Sequence, residues 1–167
     1  MDIVMPTRRG RLAAPGSAAT LAVSLALVAA VALAGRSWTD TGPGSWYGGL
    51  DTAPWQPPGW AFGAVWTVLY VLMAVAAWRV AAAGPGRPGV RSALGWYAVQ
   101  LALNLAWTGV FFGLESPWGG MVVITALAAA IAVTAHAFAG VSRFAAGLLV
   151  PYLAWVAFAA TLNGYVL

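Results

Sequence analysis

Twelve charged residues divide this chain of 167 residues into long uncharged stretches. The five longest stretches are residues 12–35, 52–78, 92–114, 116–142 and 144–167. A helix needs about 20 mainly apolar residues to cross the hydrocarbon core of a bilayer, so each stretch can hold one spanning helix. Apolar residues make up 62% of the chain, whereas they average about 45–50% in soluble domains. Charged residues make up 7%, against an average of about 25% in soluble domains. The pattern excludes a soluble globule and predicts an all-α membrane protein, a five-transmembrane-helix bundle.

Proline and glycine place the helix boundaries, because both interrupt helices. The predicted helices cover residues 13–35, 59–83, 92–114, 117–140 and 143–167, within a single transmembrane domain over residues 13–167. Residues 1–12 are predicted to be an arginine-rich N-terminal segment. The connection 36–58 exceeds the usual length of about 2–8 residues between bundle helices, which indicates a lid or binding loop. The first apolar run also resembles a secretory signal, but its length favours a retained helix.

The arginines predict how the bundle is oriented. Seven of the eight basic residues fall on one side of the five predicted spans, and only Arg36 falls on the other. By the positive-inside bias, the N-terminus lies in the cytoplasm and the C-terminus outside, in a multi-pass protein of the cell membrane. A net charge of +4 could suggest nucleic-acid binding in a soluble chain. Here the arginines are scattered between apolar runs, so we expect no nucleic-acid partner.

Three predicted helices carry a polar or aromatic stripe at helical spacing. The stripes are Phe62, Trp66 and Tyr70; Gln100, Asn104 and Thr108, with Trp107 beside them; and Tyr152, Trp155, Ala159 and Asn163. Such stripes can be core packing with amides that join helices. They can equally line a pocket for a flat aromatic ligand, which needs stacking surfaces and a few orienting donors. The residues alone leave both readings open.

Other chemistries lack the residues they need. The chain has no cysteine, and His136 is its only histidine. Its four carboxylates, Asp2, Asp40, Asp51 and Glu115, lie outside the predicted spans. We therefore expect no metal site, no hydrolytic triad and no intramembrane carboxylate relay.

Three motifs then resemble a known family. The first runs Trp46-Tyr47-x-x-Leu50, then Pro54-Trp55-x-Pro57-Pro58-x-Trp60-x-Phe62-x-x-x-Trp66-Thr67-x-Leu69-Tyr70-x-x-Met73. The others are Gln100-Leu101-x-x-Asn104-x-x-Trp107-x-x-x-Phe111-Phe112-Gly113 and Pro151-Tyr152-x-x-Trp155-x-x-Phe158-Ala159-x-x-Leu162-Asn163. Together they closely resemble the TspO/MBR family, the translocator or peripheral-type benzodiazepine receptor proteins. The resemblance runs from about Trp46 to Asn163.

The resemblance implies a five-helix membrane protein, commonly a homodimer, that binds tetrapyrroles such as protoporphyrin IX or haem as ligand, with no obligatory cofactor. It implies a role as sensor, regulator or transporter of porphyrins. By position, the implied ligand-binding residues are Tyr47, Pro57, Trp66, Tyr70, Asn104, Trp107, Trp155, Ala159 and Leu162. In bacterial members the counterparts of Trp66 and Trp155 are linked to light- and oxygen-dependent porphyrin breakdown, which makes these two the candidate catalytic residues.

Two features concern other ligands and assembly. The sterol-recognition pattern of animal members needs a Lys or Arg shortly after a Tyr, and neither Tyr152 nor Tyr165 is followed by one. A sterol-type ligand is therefore the alternative rather than the first expectation. The pairs Gly59/Gly63 and Gly109/Gly113 would permit close approach between helices or protomers.

Overall fold

Helices and their connections make up residues 17–167, the part of the chain that the computed structural model describes, and no strand occurs there. The predicted arginine-rich segment 1–12 and the first residues of the predicted first helix lie outside this range. The helices are α1 (Ala18–Arg36), α2 (Gly59–Ala81), α3 (Val90–Thr108), α4 (Pro117–Ala139), α5 (Arg143–Leu148) and α6 (Val150–Tyr165). Each of the five uncharged stretches contains a helix, as the charge spacing predicts.

Helix ends follow local chemistry. The side chains of Ser17, Ser116 and Ser142 accept hydrogen bonds from backbone N–H groups in the first turns of α1, α4 and α5, which satisfies donors that a helix start leaves free. α2 begins at Gly59, directly after two prolines. Between α2 and α3, Gly84 and Gly89 adopt positive φ angles of 87° and 86°, which glycine does without steric cost.

Within residues 17–167, four segments are long and apolar enough to cross a membrane: α1, α2, α4 and the α5–α6 pair, Arg143–Tyr165. α3 is less apolar because it carries Gln100, Asn104 and Thr108. Gln100 and Asn104 are 0% and 2% exposed, whereas the exposed positions Trp96 and Val99 on the same helix are apolar. Over its middle turns, α3 thus turns its amide side chains into the bundle and apolar ones outward, the arrangement that suits a lipid surround.

The core lies where α2, α3, α4 and α6 meet. The completely buried side chains there include Met73 of α2, Ile131 and Phe138 of α4, and Tyr152 of α6. α4 packs against α3, α5 and α6, while α1 packs chiefly on α2 and also reaches α3. α1 has only Val28 and Gly35 buried, so most of its apolar surface faces outward.

Two irregularities modify the predicted helices. The predicted last helix is interrupted at Leu149, which separates α5 from α6. The interruption lies two residues before Pro151, because proline lacks the N–H that a continuous helix needs. After α3 the chain continues as one π-helical turn, Gly109–Gly113, in which the N–H of Leu114 donates to the carbonyl oxygen of Gly109 at 2.9 Å. This turn was not predicted, and π-turns are often found at functional sites.

Candidate ligand-binding site

The connection between α1 and α2 lies over one end of the bundle, called here the lid end. Within this lid, the hydroxyl of Tyr47 donates a hydrogen bond of 3.1 Å to Oε1 of Gln56. Burial raises the pKa of the Tyr47 hydroxyl above its ordinary value, and the hydrogen bond with Gln56 lowers it by a smaller amount. The hydroxyl is therefore neutral, and the lid is tied across nine residues of its own sequence.

Aromatic contacts attach the lid to the helices. The Tyr47 ring lies 5.3 Å from that of Phe112 and 6.1 Å from that of Phe111, measured between ring centroids. Trp46 meets Phe111 edge to face at 5.5 Å, and Trp55 meets Tyr165 of α6 at 5.4 Å. The lid thus contacts the ends of both α3 and α6.

Trp38 of the lid packs against the two glycines of the π-turn. A Cβ at Gly109 or Gly113 would lie about 3.5 Å from the Trp38 ring, so the missing side chains leave room for this indole. The spacing of this glycine pair predicts close approach between helices or protomers, but within the described chain its neighbour is a lid tryptophan. At Gly59 and Gly63, a Cβ would meet no atom within 4 Å, so that pair does not pack against another part of the described chain.

A hydrogen-bonded cluster of Tyr70, Asn104 and Tyr152 joins three helices below the lid. The Tyr70 hydroxyl of α2 donates to Oδ1 of Asn104 at 3.0 Å, and Nδ2 of Asn104 donates to the Tyr152 hydroxyl of α6 at 3.1 Å. Asn104 is 2% exposed and Tyr152 is 0% exposed. Buried amides and hydroxyls need such partners, because leaving them unpaired costs about 1–3 kcal/mol each.

A second polar bridge lies nearer to the lid. The amide of Asn163 on α6 donates to the Pro117 carbonyl oxygen at 2.9 Å and accepts from the Trp107 indole N–H at 3.4 Å. The latter bond is long compared with the usual N–H···O distance of about 2.9–3.0 Å. Trp107 in turn stacks on Phe111 at 5.6 Å with an interplanar angle of 19°. The bridge therefore connects α3, α4 and α6 directly under the lid contact.

Aromatic side chains fill the interface between α2 and α6. Phe62 meets Trp155 at 5.7 Å and Trp66 meets Tyr152 at 6.1 Å, both edge to face. Trp66 also lies 5.5 Å from Tyr70, which links this interface to the hydrogen-bonded cluster. The Trp155 indole N–H is buried and has no hydrogen-bond partner. A planar ligand with acceptor atoms could use these ring faces and this donor together.

The structure brings most of the implied ligand-binding residues together. Trp66, Tyr70 and Asn104 belong to one contact chain. Trp155 contacts Phe62, which lies on the same helix as Trp66. Trp107 and Tyr47 meet at Phe111. Ala159 and Leu162 are buried on α6, and Pro57 is half-buried in the lid. None of these last three makes a ring or hydrogen-bond contact that links it to the others.

Sequence reasoning missed several members of this site. Phe111, Tyr152 and Asn163 were visible as members or neighbours of the stripes but were not assigned to ligand binding. Gln56 carried a weaker signal, an amide among the aromatic and proline residues of the lid. Its role depends on a contact with Tyr47 that no helical spacing encodes.

A cavity of about 230 Å³ lies elsewhere, at the opposite end of the bundle from the lid. It is lined by Arg79, Ala82, Ala83, Arg87, Val141 and Ser142. We place the candidate ligand site at the lid end nevertheless, because the aromatic stripes and their polar partners converge there. The distant cavity shares no residue with them.

Comparisons with known proteins agree with the motifs. The model of the TspO/MBR family matches residues 22–167. The chain is 44% identical over 145 residues to the tryptophan-rich protein TspO of Chlorobaculum tepidum, covering 86% of this chain and 91% of that protein. It is 41% identical over 121 residues to the tryptophan-rich sensory protein of Cereibacter sphaeroides, covering 72% and 74%.

An animal protein is similar at the same level. The translocator protein of Homo sapiens is 42% identical over 119 residues, covering 71% of this chain and 70% of that protein. With several apolar helices of membrane-spanning length, the chain is a multi-pass membrane protein. The extent of the family match and these identities show that the chain belongs to the TspO/MBR family.

Proposed function

We propose that this protein binds tetrapyrroles such as protoporphyrin IX or haem at the lid end and acts as a sensor, regulator or transporter of porphyrins. Two linked sets of aromatic contacts carry the proposal. Trp66 packs on both tyrosines of the Tyr70–Asn104–Tyr152 cluster. Nearer the lid, Tyr47 and Trp107 both meet Phe111. A tetrapyrrole is a flat, largely apolar ring system, and ring faces with a few fixed polar groups suit such a ligand.

The distribution of charge supports an organic ligand over an ion. Asp40, Asp51 and Glu115 are the carboxylates of the described chain, and all three lie in connections at the lid end. The polar groups in the middle turns of the helices are neutral amides, hydroxyls and indoles. An ion pathway usually requires Asp, Glu, Lys, Arg or His at membrane depth, and the described helices have none of these in their middle turns.

The proposal includes five spans with the N-terminus in the cytoplasm of a bacterial cell. α3 is the fifth span, because the amides of its middle turns are buried inside the bundle and the outward positions of those turns are apolar. Under the positive-inside bias, the cytoplasmic side is the one that carries Arg87 of the α2–α3 connection and Arg79, Arg91 and Arg143 at the adjoining helix ends. A homodimer also belongs to the proposal, with the open Gly59/Gly63 surface of α2 as its contact.

The direct test is the ligand that co-purifies with the protein from native membranes. We expect the absorption spectrum of the purified protein to contain a porphyrin or haem band, and added protoporphyrin IX to displace that ligand. Cholesterol serves as the competing ligand, because a sterol is the alternative occupant. Displacement by cholesterol with no response to protoporphyrin IX would reject the tetrapyrrole proposal.

The second candidate function is light- and oxygen-dependent breakdown of bound porphyrin. Trp66 and Trp155 favour it, because both lie at the α2–α6 interface and the Trp155 indole N–H has no partner within the protein. Indole rings at a bound porphyrin can donate electrons to its excited state, while molecular oxygen is the oxidant. Binding is required for this reaction but does not depend on it, so the two functions can be tested separately.

A further inference from the structure

The end of the bundle opposite the lid, called here the basic end, contains an unassigned cavity between three segments. They are the last turn of α2, the α2–α3 connection and the α4–α5 turn, which supply Arg79, Arg87, Val141 and Ser142 to its lining. Its volume of about 230 Å³ is below the roughly 300–1,000 Å³ of pockets that take drug-sized ligands. The cavity therefore suits a small polar group rather than a tetrapyrrole.

Among residues 17–167, the charged side chains at this end are all arginines. Arg79, Arg87, Arg91 and Arg143 all lie at the ends of helices or in connections on this side, while the carboxylates of residues 17–167 lie at the lid end. Within residues 17–167, the two arginines in the cavity lining therefore have no carboxylate at their own end to neutralise them. The lining includes Arg79, Arg87 and Ser142, so an anion in the cavity would lie beside two basic residues and a serine.

The backbone holds the two cavity arginines in place. Arg79 lies in the last turn of α2. Arg87 lies in a turn in which its N–H donates to the Gly84 carbonyl oxygen at 3.1 Å. Gly84 and Gly89 frame this turn with positive φ angles, and a Cβ at Gly89 would lie 3.8 Å from Val141. The turn is thus seated against the α4–α5 connection, so part of the ordering cost of binding is already met.

The residue type indicates a phosphate group. All eight basic residues of the chain are arginine and none is lysine. Arginine presents a planar fork of donors that binds phosphate oxygens in pairs. The cavity lies at the ends of apolar spans, the depth at which lipid headgroups meet protein, and basic pockets between spans recognise anionic headgroups.

We propose that the cavity at Arg79 and Arg87 binds a phosphate group, carried by an anionic phospholipid or present as free phosphate. Ser142 adds a hydroxyl donor, and Ala82, Ala83 and Val141 form the apolar part of the wall. The site is separate from the lid-end aromatic site, so it does not depend on the proposed tetrapyrrole function.

The test measures thermal unfolding of the full chain in nanodiscs. Discs of phosphatidylcholine alone are compared with discs that also contain phosphatidylglycerol, and with phosphatidylcholine discs that receive inorganic phosphate or sodium chloride at equal ionic strength. We expect phosphatidylglycerol to raise Tm by about 2–4 °C. A comparable rise with phosphate but not chloride identifies free phosphate as the source; a rise with phosphatidylglycerol alone identifies the lipid.

Matched variants separate the cavity from general charge attraction. Arg79→Gln combined with Arg87→Gln should abolish the rise, whereas Arg91→Gln combined with Arg143→Gln removes the same charge at the same end and should keep it. If the first double variant does not fold, Arg87→Gln alone replaces it, because Arg87 lies in a connection. This single variant should lose most of the rise in Tm. Equal losses in both double variants, or no rise in the unaltered protein with either probe, would overturn the proposal.

Discussion

Tyr70 of α2 donates a hydrogen bond of 3.0 Å to Asn104 of α3, and the two residues are 34 positions apart in the chain. Because Asn104 also donates to Tyr152 of α6, its single amide links three helices in the middle of the bundle. Trp66 packs against both tyrosine rings. The polar cluster thus fixes the relative position of the aromatic faces that we assign to ligand binding.

Replacing Asn104 should weaken the fold as well as the site. Asn104→Leu leaves two buried hydroxyls without partners, so we expect a loss of about 1–3 kcal/mol in the free energy of unfolding. Membrane hydrogen bonds often contribute less than this, so Tyr70→Phe, which removes one bond, should cost under about 1 kcal/mol. Denaturant unfolding in detergent micelles measures both variants. Full stability of Asn104→Leu would contradict the role assigned to the cluster.

Gly120 should not tolerate a side chain. A Cβ there would lie 2.7 Å from Cδ2 of Phe111 and 2.8 Å from Oδ1 of Asn163. Gly120→Ala should therefore cost about 1–3 kcal/mol by overpacking and should shift the fluorescence of Trp107 by disturbing its bond to Asn163. Gly95→Ala is the control, because its Cβ would meet nothing within 4 Å, and we expect it to be neutral or stabilising by roughly 0.5–1 kcal/mol. Equal effects of the two substitutions would contradict the packing described.

The Tyr47–Gln56 hydrogen bond of the lid should break in the alkaline range. The pKa of Tyr47 is raised, so its hydroxyl remains a donor to Gln56 below the ordinary value of about 10, and the stability it provides is lost as pH rises through the raised value. The rate of protoporphyrin IX dissociation should be constant at neutral pH and should increase above about pH 10. Tyr47→Phe should remove that alkaline increase. An unchanged increase in this variant would assign it to another group.

Trp155→Phe should separate binding from photochemistry. The substitution keeps an aromatic ring against Phe62 and removes the more readily oxidised indole. We expect protoporphyrin IX binding to persist while light-driven change of its absorption spectrum in air is lost, with Trp96→Phe as an exposed control on α3. Normal product formation in Trp155→Phe would reject the catalytic assignment and leave the binding proposal standing.

Residue spacing predicts the helices better than it predicts their contacts. Charge-free stretches locate the helices because a membrane penalises charge along their whole length, a property that is local in sequence. The spacing did not predict the π-turn after Thr108, because the apolar residues there are compatible with both α-helical and π-helical hydrogen bonding. The Trp38 contact with Gly109 and Gly113 was missed because it depends on where the lid folds back. Spacing indicated the Asn104 stripe but could not show that its partners are Tyr70 and Tyr152.

The most direct test of tetrapyrrole binding at the lid end is a titration of the protein's tryptophan fluorescence with protoporphyrin IX. We expect saturable quenching that becomes weak in Trp66→Ala combined with Trp155→Ala. Trp96→Ala combined with Trp118→Ala also removes two tryptophans, both exposed and outside the site, and should leave the apparent affinity unchanged. Quenching that rises linearly with ligand, or that is equally affected in the two double variants, would contradict the account.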